Sequence, residues 1–116
     1  MFVDASAIVA ILTAEPEADV LADLLDAAPH PISSPIAVFE AVLGLCRKRH
    51  ACVPEAREDV REFLRTAGVR MVAITETETA LDAFARYGKG LGHAAQLNLG
   101  DCFAYAVAKH HGTSML

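Results

Sequence analysis

Three carboxylates stand in surroundings where an ordinary surface charge is not expected. Asp4 follows the apolar pair Phe2-Val3, and Glu40 interrupts Ile36-Ala37-Val38-Phe39-Glu40-Ala41-Val42-Leu43. Asp101 falls where Leu97-Asn98-Leu99-Gly100 gives way to the apolar run Cys102-Phe103-Ala104-Tyr105-Ala106-Val107-Ala108. An ionised carboxylate is seldom buried unless it is paired or bound to metal. Oxygen-only donors suit Mg²⁺ or Mn²⁺, cations that keep several waters and bind phosphate through their remaining positions. The natural chemistry of such a centre is hydrolysis of a phosphodiester. Each acid also has a purely structural use: Asp4 or Ser6 as the cap of a first helix, Glu40 as the partner of Arg47, and Asp101 as the cap of the last helix.

The elements that would position these groups follow from local patterning. Met-Phe-Val-Asp-Ala-Ser reads as a short buried strand, with Ser6 capping a helix over 7–14. Glu15-Pro16-Glu17 breaks that helix and opens a second over 17–28, where Val20, Leu21, Leu24 and Leu25 share a face. Ile32-Ser33-Ser34 is a second strand, and Pro35 starts a third helix running to about His50. Its apolar residues cover most of its circumference, which predicts a largely buried helix. A fourth helix over 54–67 stops at Gly68, a strand over 69–74 follows, and a fifth helix opens between Thr75 and Glu78 and runs through Tyr87. Gly88, Gly90 and Gly92 mark a flexible loop before a last helix from about Gly100-Asp101 to Gly112, and Thr113 to Leu116 resembles the start of one more strand. Strands alternating with helices, without a tight hairpin signal, define an α/β protein with a parallel sheet. In such sheets ligands gather beyond the carboxyl ends of the strands, where Asp4 lies.

Bulk properties set the frame. A chain of 116 residues, 53% hydrophobic, suits one domain over 1–116. Its apolar stretches are about half the roughly 20 residues of a membrane span, and its first residues lack the basic region of a signal peptide. Three cysteines (Cys46, Cys52, Cys102) without a CxxC pair fit reduced thiols, read as buried small hydrophobes in a cytoplasmic protein. The net charge of −5 is opposite to the footprint of tight electrostatic nucleic-acid binding, although cations held on clustered acids reverse the sign locally. The basic cluster Arg47 to His50, with Arg86 and Lys89, is a solvated face or a set of phosphate contacts. His110-His111 is read as complementing a helix dipole.

Three segments together carry a family resemblance over nearly the whole chain: Phe2-Val3-Asp4-Ala5-Ser6-Ala7, Ser34-Pro35-Ile36-Ala37-Val38-Phe39-Glu40-Ala41, and Leu97-Asn98-Leu99-Gly100-Asp101-Cys102-Phe103-Ala104-Tyr105-Ala106. The chain resembles PIN-domain ribonucleases of the VapC type, toxins of bacterial toxin–antitoxin pairs. The resemblance implies a three-layer α/β/α sandwich with a mostly parallel central sheet, a Mg²⁺ or Mn²⁺ site, and endonucleolytic cleavage of RNA, often tRNA or rRNA. It also implies a cognate antitoxin that blocks the acidic cleft, commonly with an arginine, and a homodimer. Asp4, Glu40 and Asp101 match the family's metal-binding acids. Ser6 matches a polar position beside the first acid, and Asn98 a position before the third, which as an asparagine is first a turn residue. The family pattern continues beyond the segment matching Gly112 to Leu116 into a strand and loop with a fourth acid; the domain as given, ending at Leu116, is therefore expected to lack them.

Two other functions compete. A phosphatase of similar fold would use Asp4 as nucleophile, and would be expected to carry a second acid two residues later, where this chain has Ser6. A catalytically weakened PIN-like module would bind a partner without turnover.

Overall fold

The backbone of Phe2 is hydrogen-bonded on both sides, and this places it at the centre of the sheet. Val3 N–H donates to Ile32 O at 2.8 Å and Ile32 N–H to Met1 O at 2.9 Å, while Phe2 N–H donates to Ser114 O at 2.7 Å and Leu116 N–H to Phe2 O at 2.9 Å. Phe2 thus bridges Ile32 and Met115, both in parallel. The computed structural model describes residues Met1–Leu116, with helices α1 (Ala5–Leu12), α2 (Ala18–Ala27), α3 (Pro35–Arg49), α4 (Val53–Thr66), α5 (Thr77–Tyr87) and α6 (Leu99–His110), and strands β1 (Ile32–Ser33) and β2 (Arg70–Met71). β1 pairs with β2 in parallel, Ile32 opposite Arg70 and Ser33 opposite Met71. Across the sheet the extended segments therefore run in the order 70–71, 32–33, 2, 115, all parallel, with helices making the crossovers.

Successive side chains of a strand face opposite ways, and Phe2 and Val3 accordingly enter different cores. Val3 packs with Ile8, Leu25, Ala41, Leu45, Val60 and Leu64, from α1 to α4. Phe2 packs with Ile32, Val72, Ala104, Val107 and Ala108, against α6. A third cluster, Ala80, Ala83, Cys102 and Ala106, joins α5 to α6. Helices thus cover both faces of the sheet, as the α/β/α reading requires.

The helices match the sequence pattern to within about two residues at most ends, and the strands are shorter than expected. The segment 69–74 pairs only around Arg70–Met71: Arg70 N–H reaches Pro31 O and Val72 N–H reaches Ser33 O, both at 2.9 Å. Beyond that point the partner runs out, because Ser34 leaves the sheet to cap α3. Ser34 Oγ accepts from Ala37 N–H at 3.3 Å, and Pro35 occupies the first turn, where its missing N–H costs nothing. Ser33, fully buried, donates its hydroxyl to Val3 O at 2.8 Å and ties β1 to the first strand segment.

Three expectations need correction. α1 begins at Ala5, so Ser6 lies inside it and does not cap it. α3 is not buried all round: Ala37, Ala41, Val42 and Leu45 face the core, but Phe39 is 65% exposed and Leu43 lies beside it one turn on. α1, α4 and α6 occupy the inner faces of α3 and nothing covers that outer stripe. Of the cysteines, Cys102 is buried and Cys46 half-buried, whereas Cys52 is exposed ahead of α4. The ends of the glycine-rich segment are joined, Leu97 N–H donating to Tyr87 O and Lys89 N–H to Leu97 O, both at 2.8 Å, while Gly90 and Gly92 between them are exposed.

Replacing the Ser34 cap is expected to cost about 1 kcal/mol in Ser34→Ala, read from urea unfolding. A change within experimental error would mean that the cap does not anchor α3.

Candidate functional site

Asp4 occupies the cap position of α1 with extended backbone, φ −80° and ψ 161°, yet its side chain makes no capping hydrogen bond. Its carbonyl starts the helix by accepting from Ile8 N–H, which leaves the carboxylate free to project from the end of the first strand segment. Ser6 Oγ donates to Asp4 Oδ2 at 3.1 Å. The hydroxyl expected to cap a helix thus orients the first acid instead.

At the head of α6 a reciprocal capping box fixes Asn98 and Asp101. Asp101 N–H donates to Asn98 Oδ1 at 2.9 Å, and Asn98 N–H donates to Asp101 Oδ2 at 3.0 Å. Both sequence readings of these residues hold at once: Asn98 is a structural residue, and Asp101 contributes to the cap. The box uses Oδ2 and leaves Oδ1 without a hydrogen-bond donor, in a first turn where the helix dipole favours negative charge.

Glu40 approaches from the middle of α3. None of the chain's ion pairs involves it, so the salt bridge to Arg47 is absent. Burial raises its carboxyl above the ordinary value of 4.5, the charges of Asp4 and Asp101 raise it further, and Arg47 opposes them only in part. Asp4, Glu40 and Asp101 line one open cleft of about 630 Å³, together with Ser6 and Asn98. Glu15, Arg47 and Lys48 form another part of its wall, with Lys48 paired to Glu15. Arg49 instead binds Asp59 and the Leu12 carbonyl, while Arg86 lies in a separate depression beside Tyr87 and Lys89 is absent from the cleft. The basic cluster is therefore divided, and only Arg47 and Lys48 reach the acids' cleft.

Gly100, absent from the sequence-derived site, lies directly against the Glu40 carboxylate where α6 meets α3. A Cβ added there would overlap both carboxylate oxygens of Glu40. The only hint in the sequence is a glycine in the first turn of an apolar helix, directly before an acid. Cys102, one residue past Asp101, offers no nucleophile: burial and then the Asp101 charge push its thiol up, which keeps it neutral.

The donor set fits a hard divalent cation. All three groups are carboxylates, they converge on one solvent-open cleft, and Glu40 carries repulsion from both neighbours that a cation would relieve.

The PIN domain family model matches residues 1–116. A VapC ribonuclease of Rhizobium meliloti (strain 1021) is 44% identical over 99% of this chain and 90% of its own length. Ribonuclease VapC42 of Mycobacterium tuberculosis (strain H37Rv) is 37% identical over all of this chain and 88% of its own. The chain belongs to the PIN domain family, within its VapC ribonuclease branch. Two solved structures share the fold at 19% identity. One is Mycobacterium tuberculosis VapC20, described as a toxin that cleaves the sarcin-ricin loop, with a TM-score of 0.73 over 97% of this chain and 83% of its own. The other is a toxin–antitoxin complex from Klebsiella pneumoniae, with a TM-score of 0.70 over 98% of this chain and 82% of its own.

Because the folded carboxyl of Glu40 is raised, the native state binds more protons there than the unfolded chain, and stability declines as pH climbs above 4.5. In chelator, Glu40→Gln is expected to melt at a higher temperature than the parent at neutral pH, with the gap closing below pH 4.5; a lower melting temperature at neutral pH would contradict the repulsion. Gly100→Ala is expected to keep its melting temperature, since alanine is the better helix former by up to about 1 kcal/mol, while displacing the Glu40 carboxylate. Calorimetric titration with Mn²⁺ should then give an affinity about tenfold lower. Unchanged affinity would remove Gly100 from the site.

Proposed function

We propose that this chain is the toxin endoribonuclease of a toxin–antitoxin pair, with Asp4, Glu40 and Asp101 holding Mg²⁺ or Mn²⁺. One observation carries the assignment: the three acids converge from α1, α3 and α6 on a single cleft, close enough for Asp4 and Asp101 to raise Glu40. The chemistry such a cation supplies is Lewis-acid polarisation of a phosphodiester and activation of water for in-line displacement.

The chain's own groups do the positioning. Ser6 holds one oxygen of Asp4, and the Asn98 amide N–H holds one oxygen of Asp101, so the opposite oxygens are presented to the cleft in fixed directions. Glu40, on a rigid helix, closes the third side. Arg47 at the rim, beside the Lys48–Glu15 pair, offers positive charge to a phosphate flanking the one that is cut, which suits a protein whose net charge of −5 provides no broad basic surface. The substrate class this favours is a structured RNA such as tRNA or rRNA; VapC20, which shares the fold, is described as cleaving the sarcin-ricin loop.

The antitoxin is assigned to the same cleft, whose carboxylates would pair with an inserted arginine in bidentate fashion. A toxin–antitoxin complex among the structures of this fold supports that partnership. The homodimer is assigned to the uncovered apolar stripe of Phe39 and Leu43, with Val53 and Met71 alongside. No helix is long and apolar enough to cross a membrane. The cytoplasm is assigned as the site of activity because the proposed RNA substrate is there. The phosphatase alternative is not favoured, since family membership points elsewhere and Ser6, a hydroxyl bonded to Asp4, stands where its second acid would be.

Purified protein, freed of antitoxin, is expected to cleave RNA only with Mg²⁺ or Mn²⁺. Asp4→Ala, Glu40→Ala and Asp101→Ala should each lower the single-turnover rate by more than about 100-fold, beyond the roughly 10- to 100-fold typical of losing a residue that only orients a ligand. Full cleavage in excess chelator, or by all three variants, would sink the assignment.

A further inference from the structure

The antiparallel packing of α5 and α6 gathers a second set of metal-ligating groups away from the acidic cleft. Glu76, immediately before α5, has a side chain only 4% exposed. Its Oε2 accepts from the Thr75 amide at 2.8 Å and its Oε1 from the Thr75 hydroxyl at 3.1 Å. Burial alone would raise this carboxyl, but the Thr75 hydrogen bonds and the charge of His110 hold it below the usual carboxylate range. His110 Nδ1 stands 3.8 Å from Glu76 Oε1, beyond hydrogen-bond reach. One ligand atom from each of Glu76, His110 and His111 lies within 4.8 Å of the others, and the two imidazoles meet edge to face at 5.0 Å.

This arrangement has the features of a cation site. The carboxylate is buried and fixed in direction by two donors from one residue, so little ordering is left to be done on binding. The imidazoles are exposed, which gives an ion access from solvent. They also close the last turn of α6, where the helix dipole favours positive charge. Two nitrogens and one carboxylate select a borderline cation such as Zn²⁺ or Co²⁺, whereas the oxygen-only cleft selects Mg²⁺ or Mn²⁺.

We propose that Glu76, His110 and His111 form a transition-metal site that clamps the start of α5 to the end of α6, with a fourth position open to water. The clamp lies just ahead of Gly112, after which the chain enters its hydrogen bonds with Phe2. Occupancy therefore stabilises the α5–α6 layer and the last sheet segment, without supplying a group to the acidic cleft.

The test is a Co²⁺ titration of the tag-free full chain in excess Mg²⁺, followed by calorimetry and by visible absorption, whose intensity reports the change from the six-coordinate aqua ion to a four-coordinate site. One equivalent is expected to bind. Affinity should fall at least about tenfold in His110→Ala, in His111→Ala and in Glu76→Gln, and stay unchanged in Asp101→Asn. The two histidines are at the surface, so their variants keep the fold even if Glu76→Gln does not. Unaltered affinity in both histidine variants, loss of binding in Asp101→Asn, or no Co²⁺ bound above the Mg²⁺ background would each overturn the site.

Discussion

Like charges sharing a cleft make one another harder to ionise, and at Glu40 this repulsion is added to the cost of partial burial. A fold that brings Asp4, Glu40 and Asp101 together must hold them against that force. It does so with three rigid anchors: Asp4 is fixed by the start of α1 and by Ser6, Asp101 by its reciprocal box with Asn98, and Glu40 by a helix whose core side packs on α1. Each anchor belongs to the backbone framework, so the three acids leave it close together, and hydrogen bonds fix one oxygen of Asp4 and one of Asp101. Carboxylates on flexible loops would relieve the repulsion by moving apart, and the affinity for a cation would fall with it.

The sheet explains why these anchors meet. Phe2 is paired on both sides, Val3 and Phe2 feed opposite cores, and the chain turns into α1 directly at Asp4. The same parallel order sends α3 away from Ser34 beside that turn, and α6 brings Asp101 to the same end. Gly100 leaves room for the Glu40 carboxylate in the position it takes, since a Cβ there would overlap its oxygens. The sites proposed at the two ends of α6 have different chemistry: the N-terminal one contributes oxygen for a hard cation, and the C-terminal one contributes nitrogen for a softer one.

Much of this was legible in the sequence wherever the cause is local. Pro35 after Ser34, Gly68 after Ala67 and the apolar periodicity between them marked helix ends closely, since caps and breakers act within a turn. Strand lengths were over-read, because pairing depends on a partner that the chain supplies elsewhere; β2 ends where Ser34 departs. Ser6 was misassigned because α1 starts two residues earlier than its capping signal suggested. Phe39 and Leu43 looked buried for want of knowing which faces of α3 would be covered. The surroundings of Asp4, Glu40 and Asp101 and the family resemblance single them out as candidates, but their mutual electrostatic coupling, the packing of Gly100 against Glu40 and the meeting of Glu76 with His110 arise only from tertiary packing.

The acidic centre is tested most directly by crystals of the chain soaked in Mn²⁺ and measured at the manganese absorption edge. An anomalous peak within bonding distance of carboxylate oxygens from Asp4 and Asp101, with Glu40 drawn toward it, is the expected result. Full occupancy of Mn²⁺ elsewhere on the molecule, with the cleft between those three carboxylates holding only water, would contradict the assignment.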